Sequence, residues 1–143
     1  MRRLLLAVPL VLACSSSDGS TSDAIESCSY DGSYDVTLTP EPGATCNAPA
    51  DTDVWSMQEQ GDGSVALYFA GAPNACPVNT VDGCKLNVAC VADGTDAMGT
   101  PRRTTLNGSV AVVDGALSGS VRLTLRVGTD TCFVDYKITG SRK

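Results

Sequence analysis

Apolar and polar positions alternate with a period of two along most of the chain. In residues 33–39, Tyr34, Val36 and Leu38 share one face and polar side chains the other, the signature of a strand with one buried side. Pro40 and Pro42 stop it, since proline removes a ladder donor. Residues 54–60 and 65–70 predict a hairpin around Asp62-Gly63, a dipeptide that accepts the backbone of a tight turn. Alternation returns in 84–90, followed by a polar loop over 93–103. Residues 104–113 and 116–127 then form a long hairpin about Asp114-Gly115, with Val121, Leu123, Leu125 and Val127 in strict alternation. Gly108 and Gly119 inside it predict bulges or bends. A turn at 128–130 leads into the last strand, 132–140. After the first fourteen residues no stretch combines helical period with capping residues. The pattern predicts one all-β domain, an antiparallel meander of about seven strands forming a small barrel or a flattened sandwich.

The amino terminus follows a different rule. Met1-Arg2-Arg3 is basic, and residues 4–13 are apolar throughout, with Pro9 among them. Ten such residues are too short for a hydrocarbon layer ~30 Å thick and fit the short apolar region of an export signal. The stretch ends Val11-Leu12-Ala13-Cys14, which resembles the lipobox of bacterial lipoproteins. That resemblance implies cleavage before Cys14, a diacylglycerol on its sulfur and acylation of its new amine. Several acyl chains exceed what stable membrane attachment needs. Ser15 stands where an aspartate retains some members of that family at the inner membrane, so the resemblance implies the outer membrane, with the mature domain in the periplasm or at the cell surface. The predicted organisation is a signal peptide over 1–13, a lipidated flexible tether over 14–27 and a β domain over 28–143. Ser, Asp and Gly dominate the tether, where Ile25 is the one large apolar side chain.

Charge and cysteine count agree with export. The net charge is −6; loss of Arg2 and Arg3 with the signal makes it −8 once the terminal amine is acylated. An acidic chain lacks the basic footprint of a nucleic-acid binder, and only lipid would hold it to a membrane. Beyond Cys14 lie Cys28, Cys46, Cys76, Cys84, Cys90 and Cys132, an even number suited to disulfides in an oxidising compartment. Six cysteines allow fifteen pairings. Spacing and strand parity favour Cys76–Cys84 around a turn-rich loop, Cys90–Cys132 inside the domain and Cys28–Cys46 bracketing the first strand. Irregular gaps argue against a zinc site.

Catalytic candidates are sparse. The chain has no histidine, which removes triads and imidazole bases. Asp51, Asp53, Glu59, Asp93 and Asp96 form no spaced carboxylate pair, and Asp93, Thr95 and Asp96 lack the calcium-loop pattern. Lys85 and Lys137 fall on polar strand faces. No catalytic residue, metal or cofactor is predicted. The sequence points to a non-enzymatic binding or cell-envelope interaction module with an unidentified protein or small-molecule partner. Trp55 and the loop 72–83, with Pro73, Asn74, Pro77, Val78 and Asn79, are its candidate recognition residues; Trp55, Tyr68 and Phe69 are candidates to line a cavity or a binding platform. Two alternatives stand beside this. One is an apolar-ligand carrier whose barrel is lined by Leu38, Leu67, Leu86, Val88, Val121, Leu123 and Tyr136. The other is a protease inhibitor presenting loop 72–83.

Overall fold

The computed structural model describes residues 28–70 and 76–143. The expected signal peptide, Cys14, the tether through residue 27, Pro73 and Asn74 lie outside them. Eight strands follow one another: β1 (Gly32–Pro40), β2 (Asp51–Glu59), β3 (Val65–Phe69), β4 (Cys76–Asp82), β5 (Lys85–Thr95), β6 (Pro101–Val113), β7 (Ala116–Val127) and β8 (Asp130–Arg142). Each pairs antiparallel with the next, and β1 pairs with β8 from Tyr34↔Arg142 to Pro40↔Tyr136, closing a barrel. An antiparallel meander closes only on an even number of strands, because the first and last must run in opposite directions.

The period-two pattern sets the inside. Tyr34 and Val36 of β1, Trp55 and Met57 of β2, Leu86, Val88 and Cys90 of β5, and Val134, Tyr136 and Ile138 of β8 are buried. Asp114-Gly115 makes the β6–β7 turn with φ of 50° and 78°, the double left-handed geometry that a two-residue hairpin needs. Gly108 and Gly119 are not bulges: the β6–β7 register runs unbroken through Gly108↔Val121 and Val110↔Gly119. A β-carbon at either would collide with a facing carbonyl, that of Ser120 or of Ser109. The two glycines therefore permit a close backbone approach.

Two expectations about the middle of the chain are corrected. Residues 76–82, expected within a presented loop, are strand β4, so Pro77, Val78 and Asn79 belong to the barrel wall. Its register against β3 slips between Val65↔Asn79 and Leu67↔Cys76. Asn79 repairs the slip from a fully buried position: its amide donates to the carbonyls of Val65 (2.9 Å) and Cys76 (3.0 Å), and its oxygen accepts from the Ala89 amide (3.1 Å). The loop expected over 93–103 is mostly hairpin, since β5 and β6 pair out to Thr95↔Pro101 and leave only residues 96–100 as the turn.

The disulfides are Cys28–Cys84, Cys46–Cys132 and Cys76–Cys90, in place of the three pairings drawn from spacing. Once β4 is a strand, Cys76 and Cys84 sit at its opposite ends and cannot meet. Cys76 instead faces the inward Cys90 on neighbouring β5. Cys132 keeps its inward phase near the start of β8, three strands round from Cys90. The β1–β2 loop crosses there, and the Thr45 amide donates to the Phe133 carbonyl (2.8 Å), which delivers Cys46 to it.

Candidate functional site

The two ends of the barrel differ. At one end the chain enters at Cys28, tied to Cys84 in the β4–β5 turn, and residues 28–31 lie across the opening. Tyr30 is buried there and donates to the Gly83 carbonyl (3.2 Å), while its amide donates to Glu59 Oε1 (2.9 Å). Arg142 donates to the Ser29 carbonyl (2.6 Å) and to the Tyr34 hydroxyl (2.9 Å), with its guanidinium 5.5 Å from the Tyr34 ring centroid. Burial, then the charges of Glu59 and Tyr34, raise the Tyr30 pKa above its ordinary value. Both termini of the described domain leave from this closed end.

Among the described residues, the opposite end is open. A cavity of about 430 Å³ enters the barrel there, lined by residues from all eight strands, among them Leu38, Trp55, Phe69, Leu106, Leu123 and Tyr136. Trp55 and Phe69 meet edge to face with centroids 5.3 Å apart, a preferred geometry that fixes both rings. The Cys76–Cys90 bridge forms part of the wall. Deeper in, Val36, Met57, Leu67, Leu86, Val110 and Val134 fill the interior. Of the seven expected lining residues, Leu38, Leu123 and Tyr136 face the cavity; Leu67, Leu86, Val88 and Val121 belong to the solid core.

Polar groups at the mouth are few. Asp53, in phase with Trp55 and half-buried, lines the cavity and accepts the Val54 amide on Oδ1 (2.7 Å). Asp93 lines it too, with both oxygens held by Arg103 at 2.7 and 3.0 Å. That ion pair keeps the Asp93 carboxyl below its usual range. Among the described residues Thr104 and Tyr136 complete the set; burial first and the Asp51 charge second raise the Tyr136 pKa.

Other candidates are drawn into structure. Trp55 is 1% exposed, a cavity wall and not an exposed recognition residue. Asn79 is spent on the β3–β4 slip, and Tyr68 points outward. Asp96 Oδ1 accepts the amides of Met98 (2.9 Å) and Thr100 (2.8 Å), so it shapes the β5–β6 turn. Lys85 and Lys137 are exposed on outer faces. Among the described residues no three His, Cys, Asp or Glu side chains gather as metal ligands. Sequence reasoning missed Leu106 and Thr104 as wall residues and weighed Asp53 only as a catalytic carboxylate, not as a polar group of the cavity. Strand phase was the available signal: Asp53 is two residues before Trp55 and Leu106 two before Gly108.

No family model and no curated protein matches the chain. Among solved structures it is similar to a protein of Bacteroides fragilis NCTC 9343 assigned provisionally as an outer membrane protein, at 15% identity and a TM-score of 0.45, over 78% of this chain. The matched region spans 50% of that protein's chain.

Proposed function

We propose that the chain is a lipid-anchored, non-enzymatic binding protein of the bacterial cell envelope that holds a small apolar ligand in the mouth of its barrel. The observation that carries this reading is the apolar cavity of about 430 Å³ at the open end. It falls within the size range of small-molecule sites, which are concave, mostly apolar and marked by a few placed polar groups. A barrel interior packed solid from end to end would offer no such volume. Three disulfides among the described residues support an oxidising compartment, and the Val11-Leu12-Ala13-Cys14 sequence supports the anchor. Among the described residues, 76–82 are strand β4 and Cys76 bonds Cys90 in place of Cys84, so the bridged loop on which the protease-inhibitor reading rested does not form there.

Trp55 is the sole tryptophan and lines the cavity, so it reports occupancy directly. A neutral fluorescent probe such as N-phenyl-1-naphthylamine is expected to bind saturably and take energy from Trp55. Leu123→Phe, which narrows the mouth, is expected to weaken that binding while the protein stays folded by circular dichroism. Absence of saturable binding to the wild-type domain, or equal binding by the narrowed variant, defeats the cavity reading. For the anchor, mass spectrometry of the native protein is expected to find acylated Cys14 as the first residue; an unmodified amino terminus defeats it.

A further inference from the structure

The lining of the cavity is lopsided in charge, and that narrows the ligand class. Among the described residues no lysine or arginine lines it, whereas Asp53 and Asp93 do. Asp93 is neutralised by Arg103, which grips both of its oxygens. Among the described residues Asp53 has no such partner: its one hydrogen bond to them is the Val54 amide on Oδ1, and Oδ2 has no donor. Asp51 lies two residues earlier on the same strand face, close enough for its charge to act on Tyr136. The Tyr136 hydroxyl likewise has no protein hydrogen-bond partner among the described residues. The neighbouring cations do not offset this. Arg103 is committed to Asp93, Arg126 donates to the Gly128 carbonyl (3.1 Å), and both face a separate groove with Arg102.

We infer, resting on the cavity reading above, that the mouth selects an apolar ligand whose polar end is a cation, such as an alkylamine, and disfavours the matching carboxylate. The apolar wall takes the chain, and the half-buried Asp53 carboxylate faces the head group. A carboxylate there would meet an uncompensated like charge in a partly desolvated site, where the interaction is stronger than in water.

The test displaces N-phenyl-1-naphthylamine from the intact domain with decylamine, decanol and decanoate, at neutral pH, low salt and concentrations below micelle formation. The amine is expected to bind about tenfold tighter than the carboxylate, which corresponds to ~1.4 kcal/mol. Asp53→Asn is expected to remove most of that ratio, and raising the salt to narrow it in the wild type. Asp62→Asn, in the turn at the closed end, is expected to retain the ratio. Decanol binding with decanoate equal to or tighter than decylamine overturns the head-group inference alone, as does an Asp53→Asn protein with an unchanged ratio. Failure of all three ligands and of the probe overturns the cavity reading itself.

Discussion

Asn79 occupies an inward position that an apolar side chain would fill in a regular strand. It is held there by three hydrogen bonds to backbone, two to the Val65 and Cys76 carbonyls beside the β3–β4 slip and one from the Ala89 amide of β5. Buried polar groups left without partners carry the full desolvation cost, so Asn79→Ala is expected to lower stability by roughly 3 kcal/mol in urea unfolding. The exposed carboxylates behave differently. Arg122 hydrogen-bonds Asp135 at 2.7 Å and lowers its pKa, and Asp93 and Asp96 are lowered by Arg103 and by the turn amides. Their folded pKa values lie below the unfolded ones, so the stability they contribute is present above the ordinary 3.8 and lost as pH falls through the folded values. Tyr30 and Tyr136 have the opposite sign: burial raises their pKa, and the folded state loses stability as pH climbs past the ordinary 10.0. A melting temperature level through neutral pH and falling on both sides of that window is the expected profile. A decline centred near pH 6.5, where histidine titrates, would contradict it.

The long β6–β7 hairpin shows what each kind of sequence signal can and cannot specify. Its turn was legible because Asp114-Gly115 matches one backbone geometry, and its faces because Val121, Leu123 and Leu125 alternate. Glycine inside a strand is ambiguous between a bulge and a close approach, and only the partner strand decides. Here Gly108 and Gly119 each lie against a facing carbonyl, so Gly108→Ala and Gly119→Ala are each expected to cost about 2 kcal/mol or more through forced backbone shifts. Gly94→Ala, with open space around it, is expected to stay within ~0.5 kcal/mol of wild type. Chemical denaturation of the three variants separates these outcomes. Strand β4 was illegible for the converse reason. Its sequence, CPVNTVD, puts a proline second and an asparagine on the inside, and it reads as a turn until its hydrogen-bond partners are known. The outer ends of β5 and β6 carry polar residues on both faces, which is loop composition, yet they pair through to Thr95 and Pro101. The cavity was legible only as a set of inward positions, because its wall draws single residues from separate strands.

For the molecule as a whole, the bridges divide the work by end. Cys28–Cys84 secures the segment that covers the closed end, whereas Cys46–Cys132 and Cys76–Cys90 lie at the open one. Barrel closure joins β1 to β8, the most distant pairing in the chain, and such contacts carry the largest loop-closure entropy. Cys46–Cys132 continues that seam, because the β1–β2 loop bonds to Asp135 and Phe133 just past the last β1–β8 pair. Its cysteines are 86 residues apart, against 14 for Cys76–Cys90. The chain-entropy account then gives the seam bridge an advantage of roughly 1.5 kcal/mol. Packing does not reverse the order: Cys76 and Cys90 both line the open cavity, so alanine there widens an existing space and creates no new buried void. Replacing Cys46 and Cys132 together with alanine is therefore expected to shift the urea midpoint further than replacing Cys76 and Cys90. A larger loss from the Cys76/Cys90 pair would mean that the mouth wall, and not the closing seam, limits the stability of the barrel.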